Sequence, residues 1–193
     1  MSKVYLIFGI QGSGKGTQAR LLSKHLDLPY FEAGQELRNI ADQQNEEGEQ
    51  IREVMRTGSL VPNKILKNLF LHFIEVYDTK NGLVIDGFPR NNTQAELLEE
   101  LARELNWEVI VIHINLSKES AMSRLTNRFE VVDGKKIKRK DDLPEIIEKR
   151  FSTYYNQTLP MIKEMEKNYK TYEIDGEPSV EEVAKQIAKS ING

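Results

Sequence analysis

The run Val4-Tyr5-Leu6-Ile7-Phe8-Gly9-Ile10-Gln11-Gly12-Ser13-Gly14-Lys15-Gly16-Thr17 decides the fold. Its first five residues are apolar with no polar alternation, the pattern of a strand buried on both faces in a parallel sheet. Glycines at 9, 12, 14 and 16 then break the strand. From Lys15 to about Leu26 a helix is expected, with Ala19, Leu21, Leu22 and Leu26 facing inward. A strand, a glycine-rich turn and a helix in that order are the context in which a phosphate loop works. The glycines let successive backbone N–H groups turn inward around a phosphate, and the helix N-terminus adds a partial positive charge. Lys15 can then reach the β- and γ-phosphates while Thr17 faces a metal ion. A plain glycine-rich turn with a solvated lysine is the competing reading, and the flanking strand and helix weigh against it.

Outward from the loop, residues 28–31 read as a short strand and Ala33-Gly34 as a turn. Helices are expected over 35–41 and 47–55, with Thr57-Gly58-Ser59 closing the second. Pro62 suits the first turn of a helix running to about residue 77. Residues 83–85 form the next buried strand, ending in Asp86-Gly87. Thr93-Gln94-Ala95-Glu96 has capping-box spacing and opens a helix to about residue 105. The strongest strand signal is 109–114, and 117–126 is helical. Asp133-Gly134 is a tight-turn pair that makes 129–140 a small hairpin. Pro144 opens one long helix to about residue 168; 171–174 is the last strand, and Ser179 with Glu182 caps the last helix. Buried strands alternating with helices predict an α/β fold: a five-stranded parallel sheet of phosphate-loop type with helices on both faces. Ligands of such sheets bind at the carboxyl ends of the strands, where the Gly9 turn, Asp86-Gly87 and the turn after Ile174 all fall.

At 193 residues the chain has the size of one domain with small insertions. Its formal net charge of -3 argues against a general nucleic-acid binder. It contains no cysteine, which excludes disulfides and thiolate-bound zinc. His25, His72 and His113 are scattered without metal-ligand spacing and receive no role. The apolar run 4–8 is far too short for a signal peptide or a membrane span, so a cytoplasmic protein with no membrane partner is expected.

Gly9-x-x-Gly12-x-Gly14-Lys15-Gly16-Thr17-Gln18 resembles the phosphate loop of the adenylate kinase family, down to Gly16 between Lys15 and Thr17. Gln11 stands where that family usually has proline. The change frees a backbone φ without removing a phosphate-binding group. Asp86-Gly87-Phe88-Pro89-Arg90 is similar to the family's acceptor signature, and Gly34-Gln35-Glu36-Leu37-Arg38 to a second motif. Gly58-Ser59-Leu60-Val61-Pro62 resembles the strip that lies along the acceptor base. Arg124, Arg128, Arg139-Lys140-Asp141-Asp142 and Arg150 resemble the lid region. The motifs stand in family order over essentially the whole chain.

The resemblance implies a core of residues 1–32, 63–127 and 143–193, a helical monophosphate-binding insertion at 33–62 and a lid hairpin at 128–142. It assigns ATP to Gly12, Ser13, Gly14, Lys15, Gly16, Thr17, Arg124, Arg128 and Gly176. It assigns AMP to Ala33, Gly34, Arg38, Ser59, Leu60, Val61, Gly87, Arg90, Gln94, Arg139 and Arg150. Lys15, Arg90, Arg128, Arg139 and Arg150 would act on the transferring phosphoryl group. Mg²⁺ would be held near Thr17 and, through water, by Asp86. Asp141 and Asp142 would pair with lid arginines on closure. The lid is short and has neither cysteine nor histidine, so no zinc is expected in it. ATP, AMP and ADP are the expected partners, and a monomer the expected state.

Chemistry and resemblance agree on the acceptor type. A phosphate acceptor is already ionised and needs no general base; it needs charge neutralisation. Two nucleotides bring about six negative charges into one cleft, and Lys15 and the arginines offset them. The insertions at 33–62 and 128–142 are natural moving covers that exclude water. The base is less determined. Gln94 resembles the family's adenine contact, whereas Ala33 and Asn91 resemble UMP and CMP kinases. The reading is an adenylate kinase, with a UMP/CMP kinase and a non-catalytic nucleotide-binding module as alternatives.

Overall fold

The computed structural model describes residues 1–59, 61–132, 135–137 and 143–192. Strand β1 (Ser2–Gly9) runs through the middle of a five-stranded sheet. It pairs in parallel with β3 (Gly82–Asp86) on one side and β4 (Trp107–Asn115) on the other. Outside these lie β2 (Tyr30–Glu32) and β7 (Lys170–Asp175), both parallel, giving the order β2-β3-β1-β4-β7. The register Leu6↔Ile85 and Leu6↔Val111 keeps apolar residues level across the centre.

Alternation along the strands feeds two cores. Val4, Leu6 and Phe8 point to one face with Phe31, Leu83, Ile85, Val109 and Val111. Over them lie α2 (Ala33–Ala41), α3 (Glu46–Thr57), α4 (Asn63–Val76), α5 (Asn92–Glu104), α6 (Lys118–Thr126), α7 (Pro144–Thr153) and α8 (Leu159–Met165). Tyr5 and Ile7 point to the other face with Val84, Ile110, Ile112 and Ile174, beneath α1 (Lys15–Leu26) and α9 (Val180–Asn192). Phe31, Phe70, Phe73 and Phe88 meet edge-on or tilted at centroid distances of 4.9–6.5 Å. That cluster anchors the segment after β3, and so fixes where Arg90 starts. A separate two-stranded ribbon, β5 (Glu130–Val132) and β6 (Lys135–Ile137), is antiparallel, as the hairpin reading requires. Its expected turn at Asp133-Gly134 lies outside the described residues. Among the described residues no helix is long and apolar enough to cross a membrane.

Several local expectations are corrected. Ala33-Gly34 is not a turn: both residues belong to the first turn of α2, because Glu32 already takes the extended cap conformation. Helix α5 is capped by Asn91, whose Oδ1 accepts the Gln94 N–H at 3.0 Å, rather than by Thr93. Leu21 is exposed, since it lies on the opposite side of α1 from Ala19 and Leu22. The long helix after Pro144 is interrupted by a π-helical turn, Tyr154–Thr158. Leu159 donates to the Tyr154 carbonyl five residues back, just before Pro160, which has no N–H to donate. The capping box at the last helix is present: Ser179 N–H donates to Glu182, and Glu182 N–H to Ser179 Oγ.

Candidate active site

A cavity of about 620 Å³ opens over the carboxyl ends of β1 and β3. Its floor is the glycine loop. Gly12 has φ +89, and a Cβ there would stand 2.7 Å from the Ala121 carbonyl of α6, so only glycine lets the loop run this close. Ser13 N–H donates to the Ile10 carbonyl and Gln18 N–H to that of Gly14, each at 3.0 Å. Helix α1 therefore begins at Lys15 with its N-terminal N–H groups at the loop. Gly16 serves a different approach: a Cβ would lie 3.0 Å from Asp86 Oδ2.

Lys15 and Asp86 face this loop. Burial pushes the Lys15 ammonium down to about 8; Asp86 opposes the shift, and Arg90, Arg128 and Arg150 reinforce it. Burial pushes the Asp86 carboxyl up, against Lys15 and Arg90. The Tyr30 hydroxyl, whose one proton goes to Glu32, lies 3.4 Å from Asp86 Oδ2, but Oδ1 is buried with no hydrogen-bond partner among the described residues. An orphaned buried carboxylate oxygen is costly unless a further group meets it. With the Thr17 hydroxyl on the same cavity wall, the donors are all oxygen, as Mg²⁺ requires. These residues fit that ion.

The arginines reach the cavity from separate elements. Arg90 follows the cis Phe88–Pro89 bond, and its Nε donates to the Gly87 carbonyl at 2.8 Å. Thr158 of the π-turn donates to the Arg90 carbonyl at 3.0 Å. Arg38 on α2 is paired with Glu32 at 2.9 Å and with Gln35 at 2.8 Å. Glu32 also holds Arg20 at 2.7 Å and accepts from the Tyr30 hydroxyl. Arg124 donates to the Glu177 carbonyl at 3.0 Å. Arg124 and Arg128 both line the cavity, although they do not share one helix: α6 ends at Thr126 and Arg128 stands in the turn beyond. Arg150 comes from the last turn of α7.

Of the residues singled out in the sequence, the cavity wall holds Gly12, Gly14, Lys15, Gly16, Thr17, Gly34, Arg38, Ser59, Val61, Asp86, Gly87, Arg90, Arg124, Arg128 and Arg150. Ser13 is buried, its hydroxyl without a hydrogen-bond partner among the described residues. Ala33 is buried in α2. Gly176 packs on the end of β4, its N–H donating to Asn115 at 2.7 Å. Gln94 is only 1% exposed. Its Oε1 accepts the Arg90 N–H at 2.8 Å and its Nε2 donates to Asn63 Oδ1 at 2.9 Å. Leu60, Arg139, Asp141 and Asp142 lie outside the described residues. Sequence reasoning gave no role to Arg20, Glu32, Asn63 and Thr158, and quoted Gln35 only as part of a motif. Glu32 was accessible to it, as a charge at the carboxyl end of a predicted strand. Asn63 and Thr158 were not, because their partners Gln94 and Arg90 lie 31 and 68 residues away.

Comparison with known proteins places this geometry. The family profile described as adenylate kinase matches residues 7–171, from β1 into β7. The adenylate kinase of Cyanothece sp. (strain PCC 7425 / ATCC 29141) is 34% identical over 94% of this chain and 91% of its own length. That of Fusobacterium nucleatum is 31% identical over 95% and 96%. That of Thermosipho africanus is 29% identical over 99% of both. A glycine loop between a buried strand and a helix N-terminus, cations converging from four helices and a match along nearly the full length have one explanation: the chain belongs to the adenylate kinase family and is a nucleoside monophosphate kinase.

Proposed function

We propose that the protein transfers the γ-phosphoryl group of ATP to AMP, reversibly and with Mg²⁺, giving two ADP. The observation that carries this is the number of cationic side chains that meet in the cavity over β1 and β3. Lys15, Arg38, Arg90, Arg124, Arg128 and Arg150 all line it, and Lys15 lies near enough to Arg90, Arg128 and Arg150 for each to act on its charge. A site that only held ATP would have no use for these six cationic side chains around one cavity.

The glycine loop and Lys15 hold the donor's phosphates, and Arg124 and Arg128 flank them. Arg38 and Arg90 grip the acceptor phosphate; Arg38 leaves Glu32 to do so. Arg128, Arg139 and Arg150 offset the charge on the group in flight. Preset donors of this kind account for most catalysis in phosphoryl transfer, since they need no reorganisation in the transition state. Thr17 and, through water, Asp86 would hold Mg²⁺, which supplies further neutralisation when bound with ATP. Residues 33–62 and 128–142 act as the monophosphate-binding insertion and the lid, with Asp141 and Asp142 pairing with lid arginines on closure. Ser59, Leu60 and Val61 lie along the acceptor base.

A pyrimidine acceptor is the second reading. It is favoured by the Gln94 amide, which is paired with Arg90 and Asn63 rather than turned to the cavity. Incubation with Mg-ATP and, separately, AMP, UMP, CMP or GMP decides. Turnover dominated by AMP is the expected result. Preference for UMP or CMP would transfer the assignment to the second reading, and ATP binding without any transfer would end the kinase proposal.

A further inference from the structure

Outside the nucleotide cavity, one cluster of side chains has the composition and spacing of a ligand set. We propose that His113, Glu166 and Glu173 bind a divalent transition-metal cation of the Zn²⁺ class, at a site separate from the nucleotide's Mg²⁺.

The three residues come from three elements: His113 from β4, Glu166 from the end of α8, and Glu173 from the edge strand β7. His113 Nδ1 lies 3.0 Å from Glu173 Oε1 and 3.7 Å from Glu166 Oε1. The three ligand atoms all fall within 4.8 Å of one another. Metal–ligand bonds of about 2.0–2.1 Å at tetrahedral angles separate neighbouring ligand atoms by roughly 3.3 Å, so only a small adjustment closes the triangle on a cation.

The surroundings orient the ligands. His113 Nε2 lies 2.9 Å from the Tyr154 hydroxyl. With Nε2–H donating to that oxygen, Nδ1 carries its lone pair towards the two carboxyls, the arrangement in which histidine ligates metals. Asn115 Nδ2 donates to Glu173 Oε2 and leaves Oε1 for the cation. The Glu166 and Glu173 carboxyls each place an oxygen within 4.8 Å of the other. Two carboxyl groups that close need a proton or a cation between them. A simple His–Glu hydrogen bond accounts for Glu173 but gives no reason for the second carboxyl. The ring is buried at 5% exposure, while the glutamates are 30% and 50% exposed, which leaves an open path for a hydrated ion. One imidazole nitrogen with two carboxylate oxygens suits Zn²⁺, Co²⁺ or Ni²⁺ better than Mg²⁺, which prefers oxygen alone. The bound ion would tie the end of α8 to strands β4 and β7 of the sheet. Through Tyr154, which also lines the nucleotide cavity, it would steady the π-turn.

The test uses the full chain, freed of nucleotide and dialysed against chelator, with Zn²⁺ followed by calorimetry and Co²⁺ by visible absorption. One ion per chain is expected, with a Co²⁺ ligand-field band and a rise in Tm on Zn²⁺ addition. Glu166→Gln and Glu173→Gln, both at partly exposed positions, should each weaken Zn²⁺ at least about tenfold and abolish the Tm rise. Glu164→Gln, an exposed neighbour, should bind as the parent does. Absence of saturable one-to-one binding overturns the proposal, as does binding unaffected by Glu166→Gln and Glu173→Gln.

Discussion

Lys15 is the residue on which charge and burial conflict most directly. Its ammonium is held at about 8 against an ordinary value of 10.5. Between those two values the folded chain binds fewer protons than the unfolded one, so this residue's contribution to stability rises with pH across that window. Ligand binding runs the other way, because phosphates need the charged form. ATP affinity should therefore fall as pH rises through about 8, with proton uptake on binding above it. Calorimetry in buffers of different ionisation enthalpy should show that uptake in the parent and none in Lys15→Met. Lys15→Met should also lose on the order of 10²–10³ in turnover, as when one preset donor to a transition state is removed. Gln94 poses a separate question at the same scale. Its amide satisfies the Arg90 N–H and Asn63, so Gln94→Leu should cost about 1–3 kcal/mol in denaturant unfolding. If Gln94 also reads the base, the same variant should lose its preference for AMP over UMP and CMP while its KM for ATP stays unchanged.

Elements divide between those that stabilise the sheet and those that serve the cavity. Helix α9 covers the sheet face away from the acceptor motif, burying Val183 and Ile187. Ile187→Ala should cost about 2–5 kcal/mol in chemical denaturation and leave turnover unchanged well below the midpoint. The β5–β6 ribbon forms a two-stranded sheet of its own, which fits the role of a cover. Deleting residues 129–138 should raise the ratio of ATP hydrolysis to phosphoryl transfer, measured by separating free phosphate from diphosphate. An unchanged ratio would refute the shielding role. At this scale local periodicity read well where one element meets one neighbour, as in the 15–26 helix and the 109–114 strand. It failed at Thr93, where the capping group is decided by which residue turns away from the sheet. It failed again at residue 154, where a π-turn absorbs Pro160 in the middle of a helical run.

For the whole molecule, the proposed transfer requires residues 33–62 and 128–142 to close over the nucleotides. Small-angle scattering should show a smaller radius of gyration with both nucleotides bound than with neither, and an intermediate value with one. No change would mean that the covers are already in place. The sequence by itself determined the parallel α/β class and the glycine loop that joins β1 to α1. These depend on contacts between residues close in the chain, or on backbone conformations that glycine alone permits. Only the tertiary structure decided that Gln94 is committed to Arg90 and Asn63, that Glu32 holds Arg20 and Arg38 together, and that His113 meets Glu166 and Glu173. Each of those depends on strands and helices from distant parts of the chain arriving at one place, and no local spacing encodes where they meet.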